Sequence, residues 1–197
     1  LKGVHCVSGC RSILDNLHGQ APAGQVRVHH VNVPLHERIG EQVLSALHAG
    51  CYEGHEYRAL KGVLRKKDRV LELGAGLGVL AAYCAKRLED GSAVLTVEAD
   101  PLMAPLIQAT FAANAVSPIL LTAAVSGSGA PMRLDRAPEF WSTKALPVVH
   151  EQPGADVVLV DGVALEALVS RHSPSVLIID IEGGETSLVS TPLPGVR

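Results

Sequence analysis

"VLELGAGLGVLAAYCAKRL", Val70 to Leu88, places glycines at 74, 76 and 78 between an apolar run and a helix-like pattern. Val70 to Leu73 reads as a buried strand and the residues after Gly78 as a helix. Glycine allows a sharp turn and a close approach of backbone to a ligand, and a helix start offers free N–H groups. Two ligand classes use such a loop. A dinucleotide site wants G-x-G-x-x-G, whose last glycine would fall where Val79 stands, and no G-K-[ST] follows for a nucleoside triphosphate.

Outward from this loop, short runs of Val, Ile and Leu alternate with helical patterns, which predicts an α/β fold with a mostly parallel sheet and covering helices. The strands are expected at Val70 to Leu73, Ala93 to Glu98, Ile119 to Ala123, Asp156 to Val160 and Val176 to Ile181. Asp100 and Pro101 together read as a cap and first helical position. A further helix is expected from Val163 to Arg171. Residues 124 to 155 are dense in Pro, Gly and Ser and read as a long excursion, with Phe140 and Trp141 as loop anchor or pocket wall. Upstream, "GEQVLSALHAGCYEGHEYRALKGVL" reads as one or two helices broken near Gly50 to Gly54, while the first 35 residues show no period.

Composition excludes several classes. The 47% hydrophobic content of the 197-residue chain suffices for a core. A net charge of −3 offers no basic field for nucleic acid, and "RKKDR" (Arg65 to Arg69) reads as a solvated turn. Apolar runs fall short of the roughly 18 to 20 residues that cross a bilayer, so no membrane role is expected. Four cysteines are scattered. Cys6 and Cys10, beside His5, lack the second pair of a metal site, and Cys84 reads as a buried thiol. A reducing, cytoplasmic setting is therefore expected. The histidines form no ligand pair or nucleophile pattern.

Glu98 ends the second strand about twenty residues past the loop, where a carboxylate can accept both hydroxyls of a ribose. With the glycine loop and Asp100, this points to an adenosine-bearing ligand.

"VLELGAGLG" followed by "LTVEADP" resembles the first two signature regions of Rossmann-like S-adenosylmethionine-dependent methyltransferases. "LIIDIEGGE" (Leu177 to Glu185) resembles the D-x-E-G-x-E segment of the FkbM family, mostly O-methyltransferases acting on hydroxyls of polyketides, sugars and related metabolites. "VVLVDGVALEALV" and "GCYEGHEYRAL" resemble that family's neighbouring segments. The resemblance implies an S-adenosylmethionine-binding domain over 50–197, after an irregular and helical segment over 1–49. It implies that Glu72, Gly74, Ala75, Gly76 and Gly78 line the methionine part and sugar, and that Glu98 holds the ribose. Tyr52 and Glu53 are candidates for the methionine end if their segment folds over the donor; Glu56 reads as a surface charge.

Methyl transfer from a sulfonium is an in-line displacement that chiefly requires alignment and exclusion of water. Asp180 and Glu182 leave a strand end on the same side, with Ile181 opposite, and either could take or orient the proton of a hydroxyl acceptor. Alternative readings make Asp180 a bond to the Gly183 and Gly184 turn, Glu185 a helix cap, or Asp180 and Glu182 a divalent-metal pair; no metal is assigned. The expected partner is a small-molecule hydroxyl, and a homodimer is compatible with the sequence. The family carries a further strand and a hairpin beyond the D-x-E-G region, so "STPLPGVR" leads to the expectation of a C-terminally incomplete domain. A nicotinamide-dependent oxidoreductase and a non-catalytic nucleoside-binding module are the alternative functions.

Overall fold

A computed structural model of the chain describes residues 24–136, 143–148, 157–181, 188 and 196. A hairpin of β1 (Gln25–Val28) and β2 (Val31–Pro34) leads to α1 (Glu41–His48) and α2 (Gly54–Val63). Then come β3 (Val70–Leu73), α3 (Val79–Arg87), β4 (Val94–Glu98), α4 (Ala104–Ala113) and β5 (Ile119–Thr122). The remaining elements are β6 (Ala124–Ser126), β7 (Met132–Asp135), β8 (Lys144–Pro147), β9 (Val157–Val160), β10 (Gly162–Ala164), α5 (Leu165–His172) and β11 (Val176–Ile179).

The fold is α/β, and its centre is a parallel sheet in the order β11-β3-β4-β5. Glu72 lies opposite Ile178 on one side and Thr96 on the other. Period-two alternation divides β3 between two cores. Val70 joins Val94, Val176 and Ile178 beneath α3, α4 and the N-terminal elements, whereas Leu71 and Leu73 join Leu95, Val97, Leu165 and Leu168 on the α5 face. Each such buried aliphatic side chain is worth about 1.5–3 kcal/mol of transfer free energy. Glu72 occupies an apolar position of the first face and is 1% exposed.

Helix α3 buries every residue from Val79 to Ala85, and its small Ala81, Ala82 and Ala85 fit the crowded contact with the sheet. Lys86 and Arg87 sit in its last turn, where cations suit the helix dipole. The hairpin packs on this layer. Val28, Val31 and Val33 are buried in the first core, Asn114 bonds both the Asn32 backbone N–H and carbonyl, and Lys86 Nζ donates to the His30 carbonyl at 2.7 Å.

Five sequence expectations change. The run at Asp156 to Val160 is not a member of the parallel sheet: β9 pairs antiparallel with β7, in the order β8-β7-β9. A short apolar run has no intrinsic strand direction, and Leu159, 67% exposed, is not a core position. The described part of the 124–155 excursion holds β6, β7 and β8, three- and four-residue strands punctuated by its Gly and Pro. Residues 162–164 pair parallel with β6 before α5 begins at Leu165. Asp100 caps a turn, its carboxylate accepting the Leu102 N–H at 3.0 Å, and α4 starts only at Ala104, with Pro105 in its first turn. The hairpin in the period-free N-terminal stretch forms its own two-stranded sheet. No helix among the described residues is long and apolar enough to cross a membrane.

Candidate functional site

The three loop glycines adopt positive φ, +88° at Gly74, +53° at Gly76 and +74° at Gly78, and each faces protein. A Cβ at Gly74 would overlap the Asp180 carbonyl, with the Asp180 carbonyl carbon only 2.8 Å away. At Gly76 it would lie 2.6 Å from the Tyr52 hydroxyl and 3.1 Å from Glu53 Oε1; at Gly78 it would press on Ile107 and Phe111 of α4 at 3.0 Å. The bare backbone thus lets β11, the Tyr52–Glu53 segment and α4 close on one bend. Crossing of chain segments requires glycine there.

Glu98 turns toward this bend. Its Oε2 accepts the Ala75 N–H at 3.2 Å and its Oε1 the Asp100 N–H at 2.9 Å, and the Gly76 N–H also bonds it. Burial raises its pKa, and these three amides oppose that rise. An ionised carboxylate has about four lone-pair sites, so capacity for a hydroxyl remains. Asp100, next to it, is held by Arg136 from the end of β7, with Nη2 to Oδ1 at 2.8 Å.

Behind the loop lies Glu72, whose Oε2 accepts the Thr96 hydroxyl while Oε1 is buried without a hydrogen-bond partner. Burial lifts its pKa to about 8; the Thr96 hydroxyl and, more weakly, the Ala81 N–H oppose the rise, and the charges of Glu98 and Asp180 add to it. Glu53 repeats the pattern. Its backbone is left-handed (φ 50°, ψ 31°) immediately before α2, and its Oε2 is also buried and unpartnered. Burial, then the charges of Glu72 and Asp180, push its pKa well up. The Tyr52 hydroxyl bonds the Glu53 carboxyl and the Leu77 N–H of the loop, and burial followed by the Glu53 charge raises its pKa.

The structure therefore gathers Tyr52, Glu53, Glu72, Gly74, Ala75, Gly76, Gly78, Glu98 and Asp180 around one bend. The Asp180 side chain is exposed at the end of β11, and Ile181 packs with the α5-side core, as alternation expects. Glu182, Gly183, Gly184 and Glu185 lie outside the described residues, as do His5, Cys6, Cys10, Phe140, Trp141 and His150. Among the described residues no group of His, Cys, Asp and Glu is placed to hold a metal ion. Cys84 is a buried free thiol, as the sequence reading expects.

Two contributors went unread in the sequence. Thr96 stands in the run "VLTVE", two residues before Glu98, and a polar residue inside a buried strand was its only signal. Arg136 gave none, because its pairing with Asp100 spans 36 residues.

The charged groups acting on Glu53 and Glu72 are carboxyls: Glu72, Asp180 and Glu56 around the first, Glu98 and Asp180 around the second. A phosphate would meet like charge here, since loop amides that could cradle it are spent on Glu98. A ligand carrying hydroxyls and positive charge would satisfy what is buried and unpaired. The ribose hydroxyls, ammonium and sulfonium of S-adenosylmethionine match these acceptors, while its α-carboxylate needs a partner other than these carboxyls. No protein family model matches the chain, and no curated protein matches it significantly.

Proposed function

We propose that the chain binds S-adenosylmethionine and transfers its methyl group to a hydroxyl of a small metabolite such as a sugar or polyketide. The observation that carries the reading is the pair of buried, unpartnered carboxyl oxygens, Glu53 Oε2 and Glu72 Oε1, beside a glycine bend whose amides are clasped by Glu98. Glu98 would accept one ribose hydroxyl at its remaining lone pair, and Glu72 and Glu53 would accept the ammonium. The bound donor would supply a methyl on a sulfonium, open to in-line displacement. The chain's own task is to hold the two reactants aligned and dry. Glu72 and Tyr52 are buried, and their burial would keep one side of the donor dry. Asp180, whose backbone lies against Gly74, would accept or orient the acceptor proton, with Glu182 the second candidate from the sequence. The resemblance of Leu177 to Glu185 to the FkbM segment supports the same reaction class.

Calorimetry with S-adenosylmethionine and, separately, with a reduced nicotinamide dinucleotide tests this reading. It expects binding of the first alone, and methyl transfer to a member of a hydroxyl-acceptor panel. Binding of the nicotinamide instead would overturn it; donor binding with no transfer to any acceptor would reduce the chain to a nucleoside-binding module.

A further inference from the structure

The N-terminal hairpin carries an unusual turn. The register pairs Val28 with Val31, leaving His29 and His30 as a two-residue loop, and both are left-handed, with φ 50° and 67°. Such turns normally use Asn-Gly, because side chains with a Cβ resist positive φ. Retained strain of this kind directs attention to what the strained residue touches. His29 touches both flanks of Glu53. Its Nε2 donates to the Tyr52 carbonyl at 2.6 Å, and its ring stacks on Tyr57 with centroids 4.0 Å apart and planes 11° from parallel. Tyr57 lies one helical turn beyond Glu53, its N–H bonded to the Glu53 carbonyl at 3.0 Å.

The clamp has a firm base. Tyr57 meets Tyr83 of α3 edge-on at 5.0 Å, and α3 is the helix that the glycine bend opens. The hairpin is tied to α4 through Asn32 and Asn114 and to α3 through Lys86. The Glu53 backbone, left-handed with no side-chain cap at the helix start, has little local reason to hold its conformation. Released, it would turn the carboxyl and the adjoining Tyr52 hydroxyl away from Gly76.

We infer that His29 is a positioning residue, which fixes Tyr52 and Glu53 over the glycine bend by gripping the backbone before Glu53 and the ring after it. For its effect on donor affinity the inference rests on the function proposed above; for its effect on the segment it stands alone. His29→Phe keeps an aromatic stack and removes the donated bond, whereas His29→Gln keeps an N–H donor. In the ligand-free protein, amide exchange at Gly54 and Tyr57 accelerates at least tenfold in His29→Phe, while Ala82 to Cys84 of α3 keep their wild-type rates. His29→Gln recovers part of the protection. S-Adenosylmethionine affinity falls roughly five- to tenfold in His29→Phe but not further when Glu53→Gln is already present, since residues acting through one another are non-additive. Unchanged exchange at Gly54 and Tyr57 overturns the inference. So does equal acceleration throughout α3, which would mark a general loss of stability, or a fully additive double variant. Accelerated exchange in a protein that binds no donor would sink the proposed function and leave the clamp standing.

Discussion

Donor binding should release a proton from Glu72. The buried carboxyl has its pKa lifted to about 8, so near neutrality the ligand-free protein holds it mainly protonated. A protonated acid offers an ammonium far less than a carboxylate does, so binding must first ionise it. With one linked proton, the apparent dissociation constant scales as one plus ten to the power of the pKa minus the pH. Raising the pH from about 5.5 to about 7.5 then tightens binding about 75-fold, equivalent to about 2.6 kcal/mol. The window stops there because an α-amino group itself titrates near about pH 8. Calorimetry in buffers of different ionisation enthalpy would report affinity and proton release together. Glu72→Gln should match wild type at the acid end and fall behind progressively toward neutrality. Glu53, raised in the same direction, leaves some pH dependence in that variant. Parallel curves for the two proteins, or wild-type affinity independent of pH, would refute the linkage and with it the role given to Glu72.

Other substitutions read the same architecture. Gly74→Ala combines a positive φ with backbone overlap at Asp180, which cannot rotate aside, so denaturant titration should show a loss of about 2–5 kcal/mol. Gly76→Ala meets the side-chain tips of Tyr52 and, less closely, Glu53, and the left-handed residue costs about 1–2 kcal/mol; Tyr52→Phe added to it should restore part of the lost thermal stability, and no recovery would contradict the contact. His172 is buried, with Nε2 directed at the Val70 and Ala93 carbonyls and Nδ1 beside Arg69. Its pKa is lowered, by burial first and the Arg69 charge second. The unfolded chain therefore binds its proton more readily, and this contribution is complete above the unfolded value of about 6.5 and lost as pH falls below it. Measured against wild type, His172→Gln should show a smaller loss of stability on acidification through that range; identical pH profiles would contradict this.

The strands that build the parallel sheet were legible because buried strands favour runs of Val, Ile and Leu, as in β3, β4 and β11, and the edge strand β5, though partly exposed, keeps the same Ile-Leu-Leu composition. Glu98 was legible for the opposite reason, a charge at the end of an apolar strand. The hairpin escaped notice because His29 and His30 occupy turn positions where Asn and Gly give the usual signal. Tyr52 and Glu53 were suspected only through the family resemblance; what aims them is a left-handed backbone at Glu53 and a histidine 23 residues from Tyr52. Local pattern does not encode such pairings. The direction of β9 was beyond reach likewise, since its antiparallel partner β7 is a short strand with one buried position, Leu134. Gly74 was legible as a bend, but its closest neighbour, the Asp180 backbone, lies on another strand and could only come from the fold.

The central claim is that the glycine bend and its carboxyls form the seat of a sulfonium nucleoside. A crystal structure with S-adenosylhomocysteine, the demethylated product, tests it most directly. The account predicts a ribose hydroxyl within about 3 Å of Glu98 and the amino group within hydrogen-bond reach of Glu72 or Glu53. A ligand bound elsewhere on the chain, or one whose ribose leaves Glu98 untouched, would contradict it.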